Sequence, residues 1–444
     1  MSAAPTRRSP AVPGVLRQQP ASSAAAVGRR SLPAYAVRNI CLLSLALLSG
    51  QIGRTLEDFV GSSVAMHGPT AVAMVLLLVF VSGRRSTAAK TCRSSQRMLL
   101  AAYAVIGLAT ISTLNAITEH PTAPVQKLFG MILVVFAMAR AARLMTADQI
   151  RIALLLFAVI EASAILVLNP LIGWNPNALS MRVAICGFIG YALFADRRLR
   201  LASALMGIYI PFHFLCRTAA IASINSFIAE ALNRHLQRDR ILVIVLGIPL
   251  LLLVVFYAEE LTNSGADFAH RMLGSDHALA RFFLHDKNAD RLENDFLNRG
   301  DIWTASLELI RERPWFGVGL GNESLYMSLR SHNAWLGATA EGGIPYAMAW
   351  LVLTCLIFKA LLSALSGLRD SQSRLAICGL LIGVYLVAAG LVETSGLASV
   401  STPGSQIFYL LGFWFAYRAG VKTSHSPSTA DVPKTMNAEH SPRL

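Results

Sequence analysis

Charged residues are scarce in this chain. Of its 444 residues only 14% are Asp, Glu, Lys or Arg, whereas 54% are hydrophobic. This composition excludes an ordinary water-soluble domain and is typical of a chain that uses lipid as its solvent.

Cysteine is also sparse, and the predicted outer loop, 258–332, contains none. The six cysteines lie in apolar stretches or in one basic connection: Cys41, Cys92, Cys186, Cys216, Cys355 and Cys378. Their spacing indicates neither a disulfide framework nor a CxxC metal site.

Long apolar runs occupy most of the sequence. Because a bilayer core about 30 Å thick needs about twenty apolar residues per helix, the pattern predicts an all-α polytopic membrane protein with about 12 transmembrane helices. Two spans, 128–145 and 218–232, are short or interrupted and are candidates for re-entrant segments. The predicted spans are 34–52, 64–83, 98–117, 128–145, 152–169, 177–195, 199–216, 218–232, 241–257, 334–365, 375–393 and 405–417.

Basic residues mark alternate connections. The first forty residues and the 84–97 connection contain arginine or lysine and no acid. Since positive loops stay in the cytoplasm, both termini are predicted inside and 258–332 outside. The net charge of +14 is therefore a topology signal, and binding to nucleic acid is not expected.

These boundaries divide the chain into five parts. Polar, Pro-containing tails at 1–33 and 419–444 are predicted to be disordered and cytoplasmic. Spans 1–9 occupy 34–257 and spans 10–12 occupy 333–418. Between them, 258–332 is predicted to form a large helical periplasmic loop between spans 9 and 10.

The end of this loop concentrates polar chemistry. Asp301 is predicted to cap an amphipathic helix that runs through Ile310 and lies on the membrane surface, with Trp303 at the headgroup level. Arg311 and Arg313 suit the C-terminal dipole of this helix, and Pro314 ends it.

A glycine-rich turn follows. Gly317, Gly319 and Gly321 fit a loop turn that needs positive φ, and they equally fit a turn whose N–H groups approach an anion. Without a preceding strand the spacing is a weak phosphate signal, so both interpretations stay open.

His332 and Asn333 stand at the outer mouth of the tenth span. A neutral histidine can accept a proton from a hydroxyl, and an arginine such as Arg217, at the outer end of the seventh span, can bind phosphate oxygens as a bidentate fork. The alternatives are an interfacial histidine satisfied by the neighbouring chain and an arginine that extends to the interface.

The patterns Arg299-x-x-x-Trp303, Arg313-Pro-Trp-Phe-Gly317-x-Gly319, His332-Asn333-x-x-Leu and Glu341-x-Gly-Ile-Pro together resemble the signature of the O-antigen ligase and polymerase superfamily. The motif covers about fifty residues, and the arrangement of spans extends the resemblance to most of the chain.

The resemblance implies an inverting, metal-independent glycosyltransferase of the bacterial inner membrane without a cofactor. Its donor would be a glycan on undecaprenyl diphosphate, and its acceptor a glycan or lipid A core at the periplasmic face. Arg217 and Arg299 match arginines that neutralise the departing diphosphate, and His332 matches the residue that activates the acceptor hydroxyl. Arg313, Gly317, Gly319, Asn333 and Glu341 match the surrounding substrate-binding motif. Whether the enzyme is a ligase or a polymerase stays open.

Other polar residues have competing interpretations. Glu161 lies inside the fifth span. Pairing with a structural partner, such as an inward-facing arginine, explains an acid at this position better than a proton relay does. Glu341 can orient a neighbour of His332 or pair with a loop cation. The His/Asp-rich stretch 267–286 matches no metal-ligand spacing and is explained by a solvated loop.

Two other protein classes compete with the enzyme. A polysaccharide or lipid transporter or flippase would show internal repeats and paired broken helices near the midplane, and the halves of this sequence show no convincing repeat. A membrane scaffold would need no matched arginine and histidine.

Overall fold

The computed structural model describes residues 32–60, 63–82, 93–117, 122–172, 176–213, 216–235, 289–327, 331–365, 371–391 and 402–419. All regular structure in these ranges is helical. The helices are α1 (Ala34–Val60), α2 (Ser63–Phe80), α3 (Arg93–Ala116), α4 (Thr122–Leu144), α5 (Ala147–Ile172), α6 (Pro176–Leu193), α7 (Arg197–His213), α8 (Arg217–His235), α9 (Ala289–Glu312), α10 (Glu323–Tyr326), α11 (Ala334–Leu365), α12 (Ser371–Gly390) and α13 (Pro403–Ala419).

The helical membrane character predicted from composition is confirmed. Within the described ranges, 5 helices are long and apolar enough to cross a bilayer: Arg93–Ala116, Thr122–Leu144, Ala147–Val167, Ala334–Leu365 and Gln372–Gly390. Shorter apolar helices cover Ala34–Ser49, Gly68–Phe80, Leu179–Leu193 and Thr218–Leu232. Each predicted span except 241–257, which lies outside the described residues, coincides with a helix. The total of twelve spans stays a prediction.

The core of the bundle is organised around α13. Every residue of this helix from Gly404 to Ala416 is buried, because α3, α4, α11 and α12 all pack against it. Aromatic side chains fill the contact, as Trp350 of α11 packs on Tyr409 with ring centroids 5.5 Å apart. A helix that is apolar all round is stable only in such a central position or in lipid.

Arginines gather at one end of the bundle, which we call the basic end. Arg151 at the start of α5 donates to the carbonyl of Leu193, and Arg374 at the start of α12 donates to that of Phe194. Arg418 at the end of α13 stacks on Trp414 and donates to Met145. These contacts satisfy backbone carbonyls at helix ends, which have no partner within their own helix.

A charged pair lies between α5 and α6. The Arg182 Nε is 3.9 Å from a carboxylate oxygen of Glu161, and Glu161 is fully buried. The predicted arginine partner of Glu161 is therefore confirmed. Pairing lowers the cost of burying either charge inside a bundle.

Two predicted helix boundaries are wrong. Asp301 does not cap α9, which begins at Ala289, because the preceding Leu-, Glu- and Arg-containing stretch is itself helical and continues through Gly300. The single span 334–365 is broken at Gly343, whose φ of 82° and ψ of 169° are not helical. The end of α9 at Glu312, with Arg311 in its last turn and Pro314 beyond it, is as predicted.

Predictions for the tails and for much of the loop lie outside the described residues. Positions 1–31, 236–288 and 420–444 are not described. Among the described residues α1 starts at Ala34 and α13 ends at Ala419, and the division of the chain into five parts stays a prediction. The loop is helical in α9 and α10.

Candidate active site at the loop end of the bundle

His332 has an unusual backbone conformation. Its φ is 48°, and it is the one non-glycine residue with positive φ in the part of the chain that the structure describes. This left-handed conformation is uncommon for residues other than glycine, although His, Asn and Asp adopt it more often than the others, and it persists where surrounding contacts enforce it. The side chain is half-buried.

The residues on either side of His332 supply such contacts. Ser331 accepts a hydrogen bond at its carbonyl from the Trp303 indole at 2.8 Å and donates its N–H to the Glu323 carboxylate at 3.1 Å. Its hydroxyl donates to the carbonyl of Asn333 at 2.9 Å. Both peptide groups of Ser331 are thus held by other elements, Trp303 from α9 and Glu323 from α10.

Asn333 anchors the other side. Its Oδ1 accepts from the backbone N–H of Trp335 and of Leu336, both at 3.0 Å, which makes it the N-cap of α11. Its Nδ2 donates to the carbonyl of Leu391 after α12, at 2.9 Å. The segment Ser331 to Asn333 is therefore tied to α9, α10 and α12 together.

The glycine-rich turn packs against the break in α11, and we call this contact the glycine clasp (313–321 with 340–344). The N–H groups of Val318 and Gly319 donate to the carbonyls of Ala340 and Glu341, both at 2.9 Å, and that of Ile344 donates back to Pro314 at 2.8 Å. Two short sequence motifs, separated by about twenty residues, thereby form one backbone-paired unit.

Glycine is required in the clasp for two reasons. Gly317, Gly319, Gly321 and Gly343 all have positive φ. A Cβ at Gly317 would collide with the Ala340 carbonyl, and one at Gly343 with the Trp315 carbonyl. The interpretation of the turn as one that needs positive φ is confirmed, and the N–H groups of Gly317, Val318 and Gly319 donate to protein carbonyls.

A salt bridge ties the clasp to α4. Lys127 Nζ contacts the two carboxylate oxygens of Glu341 at 2.8 and 3.0 Å, and the Ser112 hydroxyl of α3 donates to the Glu341 carbonyl at 2.9 Å. Of the two roles open for Glu341, pairing with a cation is the one observed. This cation, Lys127, lies near the start of α4 and not in the long loop.

Glu323 is a buried acid beside His332. Burial raises its pKa, the Glu341 carboxylate raises it further, and the hydrogen bonds from Ser331 and the charge of Lys127 oppose this rise. Space for the carboxylate exists because position 337 is glycine, where a Cβ would lie 3.3 Å from Glu323 Oε2.

The three arginines occupy different positions. Arg299 lies in α9, one helical turn before Trp303. Arg313 stacks on Tyr326 with its guanidinium carbon 5.0 Å from the ring centre. Arg217 is the first residue of α8.

Topology assigns Arg217 to the same end of the bundle as His332. Tyr191, near the end of α6, donates to Glu230, near the end of α8, at 3.2 Å, so these helices are parallel. Helix α12 starts at the end of α6, where Arg374 binds Phe194, and therefore runs opposite to both. The end of α12 lies beside Asn333, which donates a hydrogen bond to the carbonyl of Leu391. The start of α8 therefore lies at this same end of the bundle, which we call the loop end.

Sequence reasoning missed Glu323, Lys127 and the role of Trp303 as a hydrogen-bond donor. Lys127 carried a usable signal, because a lone lysine at the predicted outer end of a span opposes the positive-inside bias. No sequence signal distinguished Glu323, since it is one of twelve acidic residues between Tyr257 and His332.

Among the described residues, no cluster of three or more His, Cys, Asp or Glu side chains is arranged to hold a metal ion. The His/Asp-rich stretch 267–286 lies outside them. The five cysteines within the described ranges form no disulfide bond with one another. No protein-family profile matches the chain, and no curated protein sequence matches it either.

Proposed function

We propose that the chain is an inner-membrane glycosyltransferase that moves a glycan from an undecaprenyl-diphosphate carrier to an acceptor hydroxyl at the periplasmic face. The observation that carries this proposal is the conformation of His332. A half-buried histidine with φ of 48° has neighbours fixed on both sides, Ser331 by the side chains of Trp303 and Glu323 and Asn333 by the Leu391 carbonyl. Strained backbone held by surrounding structure is concentrated at functional sites, where it orients a reacting group.

In the proposed reaction His332 is the general base. Its imidazole takes the proton from the acceptor hydroxyl as the oxygen attacks the anomeric carbon of the donor sugar. The bond from that carbon to the diphosphate oxygen breaks, the configuration inverts, and undecaprenyl diphosphate leaves with the electron pair. Positioned general bases contribute about 10²- to 10⁴-fold to rate.

Arg299 and Arg217 stabilise the leaving diphosphate in this scheme. Guanidiniums bind phosphate oxygens as bidentate forks and keep their charge at all physiological pH values, so they supply the charge stabilisation that a metal ion supplies in other transfers. The position of Arg299 in α9, one helical turn before Trp303, and of Arg217 at the start of α8, at the loop end, supports this assignment.

The structure also supports distinct roles within the substrate-binding motif. Gly317 and Gly319 form the clasp, Asn333 caps α11, and Glu341 pairs with Lys127. We therefore assign these four residues to shaping the site, and Arg313, at its edge, to substrate contact.

The direct test is transfer from a purified lipid-linked glycan to an acceptor by the purified protein in detergent or liposomes. We expect turnover that EDTA does not reduce. No transfer to any lipid A-core or lipid-linked acceptor, or loss of turnover on chelation, would contradict the proposal. A transporter would instead move the lipid-linked glycan across the vesicle membrane without forming a new glycosidic bond.

A deletion strain separates the two possible acceptors. Surface glycans reduced to single capped repeats indicate a polymerase, whereas long lipid-linked chains together with bare core indicate a ligase.

A further inference from the structure

Glu323 is a carboxylate placed next to the candidate base but not exposed to solvent. Only 3% of the residue is exposed, and its Oε1 accepts the Ser331 N–H at 3.1 Å. Burying an acid is costly unless its hydrogen bonds are formed. A residue with only a packing role in this position would be apolar.

The hydrogen bond to Glu323 fixes the peptide group before Ser331, which is one residue before the peptide group that sets φ of His332. Ser331 precedes His332 in the chain, and the Trp303 indole holds its carbonyl, which belongs to the peptide group that sets φ of His332. With both the N–H and the carbonyl of Ser331 fixed, the peptide plane before His332 cannot rotate freely. The left-handed φ of 48° is then maintained against its intrinsic cost, which is of order 1–3 kcal/mol.

Two charged groups act on Glu323 from neighbouring helices. Lys127 of α4 attracts the carboxylate, and Glu341 of α11 repels it. Lys127 is itself bound to both Glu341 oxygens, so Glu323 does not hold the cation alone. The hydrogen bond to Ser331 is the specific contact that the Glu323 carboxylate makes with the His332 segment.

We propose that Glu323 is a positioning residue for His332: its carboxylate, through the Ser331 N–H, holds the histidine in the orientation that proton transfer requires. This role rests on the proposed function. It requires an oxygen acceptor at position 323 but not a negative charge, because an amide oxygen accepts the same hydrogen bond.

The test compares Glu323→Gln with Glu323→Met, which fills a similar volume without an acceptor. Hydrogen exchange of the Ser331 amide and steady-state transfer are measured on the same preparations. In the Met variant we expect exchange about tenfold faster, as for loss of one hydrogen bond, and kcat reduced about 10- to 100-fold with little change in KM. In the Gln variant both should stay close to wild type.

Glu308→Met is the matched control, because Glu308 is an exposed acid on α9. It should change neither readout. A Met variant with wild-type exchange or wild-type kcat overturns the positioning role. A Gln variant that keeps Ser331 protection but loses turnover also overturns it, since the charge itself would then be needed.

Two further outcomes are decisive. If Glu323→Met does not accumulate in the membrane, the Gln variant decides alone, since positioning requires it to keep both protection and turnover. Absence of transfer by the wild-type protein overturns the proposed function and this role with it. Faster exchange with unchanged kcat in an active enzyme overturns the positioning role only.

Discussion

His332 is the residue at which chemistry and packing can be separated most clearly. We expect His332→Ala to reduce transfer about 10²- to 10⁴-fold, which is about 3–5 kcal/mol in barrier, because the general base is lost. The variant should still accumulate and bind the lipid-linked donor. Activity per molecule and thermal stability are measured together.

Loss of stability with proportionate activity per folded molecule would instead identify a structural histidine. Alanine keeps the Cβ that makes a left-handed φ costly, so this substitution does not relieve the backbone cost. Stability close to wild type with background turnover is therefore the result that supports the general base.

Arg299 tests the diphosphate contact. Arg299→Lys keeps the charge but not the planar fork, so we expect most transfer activity to be lost. Arg311→Lys, at the exposed end of the same helix, is the control and should retain activity. Full activity in both Arg299→Lys and Arg299→Ala at normal protein level would remove Arg299 from the mechanism.

Glu323 makes stability depend on pH. Its pKa is raised in the folded protein, so the folded state binds a proton more tightly than the unfolded chain, and stability falls as pH rises from the ordinary glutamate pKa through the raised one. Glu323→Gln cannot titrate. We therefore expect the melting temperature of the Gln variant to rise relative to wild type as the pH increases above the ordinary glutamate pKa, and a constant difference would contradict this.

At the scale of elements, the glycine clasp joins the loop to the bundle. Gly343 combines positive φ with direct contact to the Trp315 backbone, so its position cannot be relaxed by a rotamer change. The clasp fixes the position of the first part of α11. It therefore also fixes the positions of His332 and Asn333, which immediately precede this helix.

Gly343→Ala should therefore be strongly destabilising, by more than the ~1–2 kcal/mol that a left-handed alanine alone costs. Gly130→Ala in α4 is the matched control, because a Cβ there meets open space at ordinary helical φ. We expect it to be neutral or stabilising by about 0.5–1 kcal/mol. Thermal unfolding of both variants measures the difference, and equal midpoints would show that the clasp does not constrain α11.

At the scale of the whole molecule, the two ends of the bundle differ in chemistry. Arg151, Arg374 and Arg418 satisfy carbonyls at the basic end, whereas the loop end carries the clasp, the Lys127–Glu341 pair and the His332 segment. The positive-inside rule predicts that the basic end is cytoplasmic.

Orientation is tested with single cysteines in a cysteine-depleted chain. Asn288→Cys should react with an impermeant thiol reagent added to intact spheroplasts, and Ser94→Cys should react only after the membrane is opened. The reverse pattern would invert the topology and place His332 in the cytoplasm, where this chemistry is not expected.

Sequence alone determined the features that depend on composition and local order. Apolar length located the helices, and Pro314 located the end of α9, since both effects act within a few residues. The spacing of the glycines predicted a turn with positive φ, and the mid-span acid Glu161 predicted a buried arginine partner, which is Arg182.

Tertiary structure decided the contacts between residues far apart in the chain. Three features depend on which elements meet at the loop end. They are the contact of Glu323, among many acids, with Ser331, the pairing of Lys127 with Glu341 across more than two hundred residues, and the break in α11 at Gly343. The left-handed conformation of His332 has the same origin. It is uncommon for any residue other than glycine, and the contacts of its neighbours with Trp303, Glu323 and Leu391 form only once α9, α10, α11 and α12 are packed together.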